Sequence, residues 1–209
     1  MSLELFSEPA PTYGDSHDFW STPRAAWEPI EPVLLDATRG RGRVHVLEPA
    51  CGEGVLVELA MSLEPRSVTT YEVHAGRAAS CWRDWGHATN PVVADFLTAE
   101  VAVTKYATVD NPLCVVMNPP YTKPRKTIGL EFVTKCLELA RPSRGIVCAL
   151  LPHDWATGVA WGEIHDRDAA CLYPVRRRPK FNGEETGKRP VAWFLWDLLN
   201  PRREWRVIG

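Results

Sequence analysis

The sequence lacks the cysteine and histidine spacings that mark a disulfide framework or a zinc site. Its six cysteines are widely scattered, none forms a C-x-x-C pair, and most lie within apolar runs. This distribution predicts reduced thiols in the protein core and no bound metal. A charged-then-apolar leader and an apolar run of membrane-spanning length are also missing from the sequence. We therefore expect a cytoplasmic protein without a membrane-spanning segment.

The chain also carries little net charge. A formal charge of -2 over 209 residues excludes a strong overall attraction to nucleic acid. The basic residues are unevenly placed, because the last thirty-five residues carry nine Lys or Arg and four Asp or Glu. This imbalance allows a local basic face on a nearly neutral protein.

Composition and length favour a single globular domain. The chain is 45% apolar and 24% charged, and 209 residues suffice for one full-sized core. Residues 1–16 are acidic and rich in proline and small polar residues. We therefore expect an N-terminal arm there and one domain over residues 17–209. Thr22 followed by Pro23 predicts the first helix of that domain, with Thr22 as its N-cap.

Short apolar segments alternate with helical patterns along the chain. Buried strands are predicted near residues 44–47, 67–71, 91–94, 113–118, 145–151, 171–177 and 191–196. This alternation predicts an α/β fold, a mostly parallel sheet of seven strands with helices on both faces. No helical pattern separates the last two segments, so we expect the final strand to be antiparallel. Ligands of such sheets bind beyond the carboxyl ends of the strands.

A glycine-containing turn follows the first predicted strand, in the segment Glu48-Pro49-Ala50-Cys51-Gly52-Glu53-Gly54. Glycines allow a ligand to approach the backbone, and the helix that follows offers free N–H groups. The second predicted strand ends at Glu72, where a carboxylate can accept hydrogen bonds from both hydroxyls of a ribose. The order strand, glycine turn, helix, strand and acid indicates a ligand that carries a ribose. Taken alone, Glu72 is also compatible with a solvated strand end.

An acid and an aromatic residue, Asp95 and Phe96, end the third predicted strand. The carboxylate can bind the amino group of an adenine, and the aromatic ring can cover one face of it. A single aromatic residue at such a place is more commonly part of the core. Both interpretations of Phe96 stay open at this point.

The fourth predicted strand runs into a corner formed by Asn118-Pro119-Pro120-Tyr121. The two prolines hold the residues before them in extended conformations, which makes the corner stiff. The Asn118 side-chain oxygen and the Pro119 carbonyl can face one point, with the Tyr121 ring beside them. The corner can therefore hold a flat molecule that carries an NH2 group. The alternative is a tight turn with a surface tyrosine.

One basic segment follows the fourth predicted strand, and a second overlaps the end of the sixth. Their cationic residues are Lys123, Arg125, Lys126, Arg176, Arg177 and Arg178. Clustered cations of this kind contact phosphates in nucleic-acid-binding proteins. The alternative is that both segments are ordinary solvated loops.

These motifs, in this order, resemble those of S-adenosylmethionine-dependent amino methyltransferases of the DNA adenine-N6 class. The matching segments are Phe19-Trp20-Ser21-Thr22-Pro23, the glycine turn, Glu72, Asp95-Phe96 and Asn118-Pro119-Pro120-Tyr121, within roughly residues 17–197. The resemblance implies a Rossmann-like class I methyltransferase fold with S-adenosyl-L-methionine as cofactor and no metal. It also implies methyl transfer to the exocyclic N6 amine of an adenine in DNA.

The resemblance further implies a role for each motif. Thr22, Pro23 and the turn at residues 48–54 would hold the methionine part of the cofactor, Glu72 and Val73 its ribose, and Asp95 and Phe96 its adenine. Asn118 and Pro119, in the corner with Pro120 and Tyr121, would accept hydrogen bonds from the amine. Tyr121 and Phe181 would stack on a flipped base. The six cationic residues would contact the flanking phosphates.

The chain departs from the family in size. Relatives with a defined target sequence usually carry a separate recognition domain, and no part of this sequence is left over for one. We therefore expect the protein to recognise very little sequence, to use its own loops at residues 97–112 and 178–190, or to rely on a partner. Its small size suits a bacterial or phage-encoded enzyme. Three alternatives stay open: a methyltransferase of an rRNA base, a methyltransferase of protein glutamine, and a non-catalytic nucleic-acid or cofactor-binding module.

Overall fold

The computed structural model describes residue 19 and residues 21–121, 126–176 and 190–209. Within these ranges one sheet is formed by seven strands: β1 His45–Glu48, β2 Ser67–Glu72, β3 Val92–Val93, β4 Leu113–Met117, β5 Ile146–Pro152, β6 Cys171–Pro174 and β7 Val191–Asp197. The strand order is β3-β2-β1-β4-β5-β7-β6. β7 is antiparallel to both of its neighbours, and the other paired strands are parallel. The predicted α/β sheet with an antiparallel final strand is therefore confirmed.

Helices cover both faces of the sheet, as predicted. The described α-helices are α1 Arg24–Trp27, α2 Glu31–Thr38, α3 Val55–Ser62, α4 Ala75–Trp85, α5 Ile128–Ala140 and α6 Val159–Arg167. Buried residues of α1, α2 and α3 share one hydrophobic cluster with the first face of the sheet. Buried residues of α5 and α6 share a second cluster with the opposite face. The sheet is thus the middle of three layers.

Strand β4 shows why its sequence is a continuous apolar run. Cys114 and Val116 point to the cluster of α1, α2 and α3, whereas Leu113, Val115 and Met117 point to the cluster of α5 and α6. All five side chains are buried. A parallel strand in the centre of a three-layer fold has no solvated face, so polar residues first occur where the strand ends.

Except at the end of β6, the strand boundaries lie within one residue of the predicted ones. β3 contains only Val92–Val93, because the register with β2 pairs these two residues alone. β6 ends at Pro174, and beyond it Val175 forms an isolated bridge with Ile208. The extended backbone of Gly158 separates a 3-10 helix, His153–Thr157, from α6.

The basic C-terminal segment runs along the outer edge of β6. The Leu172 N–H donates to the Glu204 carbonyl at 2.7 Å, and the Arg206 N–H donates to the Leu172 carbonyl at 3.0 Å. These bonds pair backbone groups that an edge strand would otherwise expose. Where it lies beside β6, the C-terminal segment is therefore held to the sheet by backbone hydrogen bonds.

The N-terminal arm expected at residues 1–16 lies outside the described residues. Every helix within the described ranges is too short or too polar to cross a membrane. The same ranges contain no group of three or more His, Cys, Asp and Glu side chains that could hold a metal ion.

Candidate active site

The predicted site residues of β1, β2 and β4 converge at one edge of the sheet. These strands are parallel neighbours, with β1 in the centre of the three. Glu48 and Glu72 are the last residues of β1 and β2, and Asn118 directly follows β4. The carboxyl ends of the three strands therefore place an acid, a second acid and an amide side by side.

The glycine turn after β1 requires glycine at two positions. Gly52 and Gly54 have φ angles of +54° and +89°, in the left-handed region that other residues rarely adopt. A Cβ atom on Gly52 would lie 2.6 Å from the Phe19 ring, and one on Gly54 would lie 2.7 Å from Cys81 Sγ. The turn is thus closely covered by the segment before α1 and by α4.

The turn is also tied to β2. The Cys51 N–H donates to the Tyr71 carbonyl at 2.8 Å, and the Gly54 N–H donates to the Cys51 carbonyl at 2.8 Å. Pro49 and Cys51 are buried, and Ala50 is half-buried. The backbone of the turn is therefore held in one conformation next to the end of β2.

The Glu72 carboxylate is buried and already binds four donors. Its Oε2 accepts a hydrogen bond from the Gly52 N–H at 2.9 Å. Its Oε1 accepts bonds from the His74 N–H at 2.8 Å and from Arg77 Nε and Nη2 at 3.1 and 2.9 Å. Oε1 is therefore saturated by this chain, whereas Oε2 has room for a further donor. Val73, next to Glu72, is half-buried.

Arg77 connects Glu72 to the segment before α1. Its guanidinium lies over the Phe19 ring, 4.7 Å from the ring centroid, and pairs with the Glu72 carboxylate. The Phe19 ring also covers Gly52. Arg77 and Phe19 thus close one side of the glycine turn.

Glu48 differs from Glu72 in its hydrogen bonding. Only 2% of Glu48 is exposed, and its Oε2 has no hydrogen-bond partner within the described part of the chain. Burial raises the pKa of the Glu48 carboxyl well above its ordinary value of 4.5, and the neighbouring Cys81 and Glu72 raise it further. A buried carboxyl oxygen without a donor is costly. A cation or a neutral donor placed beside Glu48 would remove this cost.

Asp95 and Phe96 follow β3 and have different surroundings. Asp95 is half-buried and its Oδ1 accepts a hydrogen bond from the Leu97 N–H at 2.9 Å. Phe96 is 2% exposed, and its ring packs against Tyr71 and Phe132 at centroid distances of 5.6 and 5.3 Å. The structure thus places Phe96 in the core, and its contact with an adenine stays a prediction.

The corner after β4 is hydrogen-bonded to two distant segments, the one before α1 and strand β5. Asn118 Nδ2 donates to Thr22 Oγ1 at 2.9 Å. The Tyr121 hydroxyl donates to Asn118 Oδ1 at 2.7 Å and to the Leu150 carbonyl at 3.2 Å. Pro119 is buried and Pro120 is half-buried. Both ends of the Asn118 amide are therefore engaged, which fixes the direction of its oxygen.

The bond from Asn118 corrects the prediction for Thr22. Helix α1 begins at Arg24, and the residue before it is Pro23, whose backbone is extended with φ -68° and ψ 151°. Thr22 is not the N-cap of this helix, and its hydroxyl instead accepts a bond from a residue 96 positions away. Thr22 is 4% exposed, and its contact with Asn118 is partly buried.

The predicted phosphate-binding residues are only partly within the described ranges. Lys126 and Arg176 are exposed. Lys123, Arg125, Arg177 and Arg178, and the predicted stacking residue Phe181, lie outside the described residues.

Solved structures share this architecture. A protein from Listeria monocytogenes described as a class I S-adenosylmethionine-dependent methyltransferase superposes with a TM-score of 0.66 and 14% identity, over 94% of this chain and 67% of that chain. A type I restriction-modification methyltransferase subunit from Streptococcus thermophilus gives a TM-score of 0.65 and 15% identity, over 90% and 47% of the two chains. The 23S rRNA methyltransferase ErmE gives 0.56 and 23%, over 83% and 68%. The chain has the class I methyltransferase fold.

The sequence itself has no match among models of protein families or among curated proteins. The three structures named above share 14% to 23% sequence identity with this chain, so the likeness lies in the fold. The chain spans less than half of the type I restriction-modification subunit, at 47% of its length.

Two residues that bind to predicted site residues or to the loop beside them were not predicted from the sequence. Arg77 pairs with Glu72 from the first turn of α4. Lys135, on α5, donates from Nζ to the carbonyl oxygens of Phe96, Leu97 and Ala99 at 2.6, 3.1 and 2.8 Å. A basic residue five positions after the strand-end acid was a usable signal for Arg77. Lys135 gave no signal, because its partners are backbone groups far away in the sequence.

Proposed function

We propose that this protein transfers a methyl group from S-adenosyl-L-methionine to the exocyclic N6 amine of adenine in DNA. The observation that carries this proposal is that hydrogen bonds to Thr22 and from Tyr121 hold the Asn118 amide in place at the carboxyl edge of the sheet. This arrangement fixes the amide with its nitrogen toward Thr22 and its oxygen toward Tyr121, at the edge of the sheet that also carries the glycine turn. An amide oxygen accepts hydrogen bonds, so a planar NH2 group, which donates them, is the methyl-accepting group that suits it best.

The residues around the glycine turn fit the proposed cofactor. The orphaned, buried Glu48 oxygen suits the ammonium group of a methionine moiety. Glu72 lies at the end of β2, and the open position on its Oε2 suits a ribose hydroxyl. Gly52 and Gly54 leave the backbone of the turn approachable. Thr22, Pro23, Val73, Asp95 and Phe96 complete the proposed cofactor site.

The proposed reaction needs little from the protein beyond hydrogen bonding and orientation. Bound S-adenosyl-L-methionine supplies an electrophilic methyl group. Asn118 Oδ1 and the Pro119 carbonyl would accept hydrogen bonds from the amine and so direct its nitrogen lone pair. A preorganised partner of this kind is worth about a hundredfold to a thousandfold in rate.

An adenine inside a duplex cannot reach this corner. The base must be flipped out or lie in a single strand, and flipping costs a few kcal/mol. Stacking on an aromatic ring returns about 1 to 3 kcal/mol per base, and Tyr121 is the proposed stacking residue within the described ranges. Phe181 and the six cationic residues are proposed to hold the base and its flanking phosphates. We further propose that residues 17–209 act as one catalytic domain.

Two structural neighbours support a nucleic-acid substrate in different ways. One belongs to a type I restriction-modification system, and the other methylates 23S rRNA. The second candidate function is therefore methylation of an rRNA base. Tyr121 at the last position of the corner favours adenine in DNA, since rRNA enzymes with a similar corner often carry phenylalanine there.

The test is direct detection of the methylated nucleoside. The purified protein and an Asn118→Ala variant are incubated with S-adenosyl-L-methionine and, in parallel, unmethylated duplex DNA, single-stranded DNA and ribosomal RNA. The nucleic acid is then digested to nucleosides for mass spectrometry. N6-methyldeoxyadenosine from the parent but not from the variant is the expected result. Methylation of ribosomal RNA alone would replace the DNA proposal with the second candidate, and cofactor binding without any methylated nucleoside would contradict both.

A further inference from the structure

A row of aromatic rings leads from the corner into the core. The Tyr121 and Trp155 centroids are 5.7 Å apart, with an angle of 73° between the ring planes. Trp155 in turn stacks on Trp161, at 4.8 Å and 26°. Trp161 is 6% exposed, whereas Trp155 is only half-buried. Trp155 is therefore the partly exposed ring between Tyr121 and the core.

Both rings beside the corner are attached to the end of β5. Trp155 lies in the 3-10 helix His153–Thr157, directly after this strand. The Tyr121 hydroxyl donates to the carbonyl of Leu150, within the same strand. The position of Trp155 relative to Tyr121 is thus set by the sheet, and the stack on Trp161 supports it from behind.

Gly129 provides the space for the Trp155 ring. A Cβ atom on Gly129 would lie 2.8 Å from both Cη2 and Cζ3 of Trp155, and 3.2 Å from the Pro120 carbonyl oxygen. Gly129 belongs to the first turn of α5 and does not have a positive φ. Its backbone therefore does not require glycine, and glycine is less favourable than alanine in a helix. The close approach of Trp155 is the reason that the structure offers for glycine at this position.

We infer that Trp155 is a second aromatic wall of the acceptor site, placed by Gly129, and that it selects a flat ring as the methyl acceptor. The inference rests on the proposed function and adds a residue that determines specificity to it. Two rings at 73° form an angled site. A base that stacks parallel to Tyr121 lies at the same steep angle to Trp155, and aromatic contacts at such angles are favourable. A small, non-aromatic amide would leave this wall without a partner.

The alternative is that Trp155 only packs behind Tyr121 and stabilises the fold. The two roles differ in what a substitution changes. A packing role affects thermal stability and both substrates together. A wall of the acceptor site affects the KM for the nucleic acid and leaves the KM for S-adenosyl-L-methionine unchanged.

The experiment uses the full chain with Trp155→Leu, Trp155→Phe, Gly129→Ala and the double variant Gly129→Ala with Trp155→Phe. Trp82→Phe is the matched control, because Trp82 is 59% exposed on α4, away from the corner. The measured quantities are kcat, the KM for an adenine-containing DNA, the KM for the cofactor, and the Tm. Trp155→Leu should raise the KM for DNA at least tenfold and change the KM for the cofactor less than twofold.

Gly129→Ala tests the placement of the ring without removing it. The added Cβ displaces the Trp155 ring, so the KM for DNA should rise about as it does in Trp155→Leu. Phenylalanine is shorter than tryptophan and leaves room for the Cβ, so Gly129→Ala should have less effect in the Trp155→Phe background than alone. Such non-additivity is expected for residues in contact.

The outcomes separate this inference from the proposed function. If the parent protein methylates DNA and Trp155→Leu or Gly129→Ala leaves the KM for DNA within twofold of the parent, Trp155 is not part of the acceptor site. Equal changes in both KM values, with a lower Tm, also overturn the inference in favour of packing. If the parent methylates no nucleic acid, the proposed function fails, and this inference fails with it.

Discussion

The Tyr121 hydroxyl donates a hydrogen bond to Asn118 Oδ1 at 2.7 Å, the same oxygen that the proposed reaction requires as an acceptor. A carbonyl oxygen has two lone pairs and can accept two hydrogen bonds, so the bond from Tyr121 is compatible with a second one from an incoming amine. The bond also holds the oxygen in place. Tyr121 would therefore contribute to the reaction through its hydroxyl as well as through its ring.

Replacing Tyr121 by phenylalanine separates these two contributions. Tyr121→Phe keeps the ring but loses the bond to Asn118, which is worth about 1 kcal/mol, or roughly a fivefold loss of kcat. The KM for DNA should stay unchanged. Tyr121→Ala removes the ring as well, and the KM for DNA should then rise about tenfold or more. Steady-state kinetics of both variants provide the measurement, and equal KM values for the two would contradict the stacking role.

Thr22 offers a second test of the fastening of Asn118. Thr22→Val removes the acceptor of the Asn118 amide and leaves a buried N–H group without its partner, at a cost of about 1 to 3 kcal/mol. Thr22→Ser keeps the hydroxyl. We expect Thr22→Val to lower kcat about tenfold or more through loss of the amide orientation, and Thr22→Ser to retain most of the activity. Similar kcat values for the two variants would show that this hydrogen bond has no role in turnover.

The difference between the predicted and observed roles of Thr22 shows what a sequence can and cannot indicate. Local patterns predicted the sheet, because buried strands, helices and turn residues each depend on neighbours in the chain. Thr22 before Pro23 has the local pattern of an N-cap. The actual partner of its hydroxyl is Asn118, 96 positions later, and only the packed fold brings the two together.

The same distinction applies to the rest of the site. Glu48, Glu72 and Asn118 were recognisable because each stands at the end of a predicted strand. The carboxyl ends of parallel strands meet at one edge, so their proximity followed from the topology. The three carbonyl partners of Lys135 are not recognisable in this way, since every residue has a carbonyl group. Contacts of side chains with distant backbone therefore emerge only from the coordinates.

Glu48 predicts a pH dependence of both stability and cofactor binding. The raised pKa means that the buried carboxyl favours the folded state while it is protonated. This contribution is present below the ordinary pKa of 4.5 and is lost as the pH rises through the raised value. Glu48→Gln removes the ionisation, so the variant should gain stability relative to the parent as the pH increases above 4.5. Thermal unfolding across a pH series measures this difference.

Ionisation of Glu48 should strengthen cofactor binding, although it destabilises the folded protein. An ammonium group beside Glu48 favours the ionised carboxylate, so binding releases a proton while the free protein is protonated there. The affinity of the parent should therefore rise with pH up to the raised pKa and then level off. Calorimetric titration in buffers of different ionisation enthalpy detects the released proton. Glu48→Gln should bind more weakly and without this pH dependence, and an unchanged affinity would place the ammonium group elsewhere.

Lys135 should hold the loop that carries Asp95 in its binding conformation. Lys135→Met removes the donor to three carbonyl oxygens, and we expect a higher KM for S-adenosyl-L-methionine with little change in kcat. Burial lowers the pKa of the Lys135 ammonium, which is consistent with its enclosed position. Lys105→Met is the matched control, since that ammonium pairs with Glu100 on the surface. A kinetic comparison in which Lys135→Met and Lys105→Met behave alike would contradict a role for Lys135 in cofactor binding.

Arg77 leads to a less obvious expectation, which is that its removal strengthens cofactor binding. One ribose hydroxyl would bind the open position on Glu72 Oε2. Two donors of Arg77 and one of His74 saturate Oε1, so the second hydroxyl can engage that oxygen only if Arg77 moves away. Arg77→Met removes the competitor and leaves a buried carboxylate short of a partner, at a cost of about 3 kcal/mol to the free protein. Ribose hydroxyls would restore part of this loss. The variant should have a lower Tm, a lower Kd for the cofactor and a larger rise of Tm on its addition, whereas Arg83→Met, an exposed change on the same helix, should alter none of these. A higher Kd in Arg77→Met would instead assign Arg77 the task of holding Glu72 in its binding position.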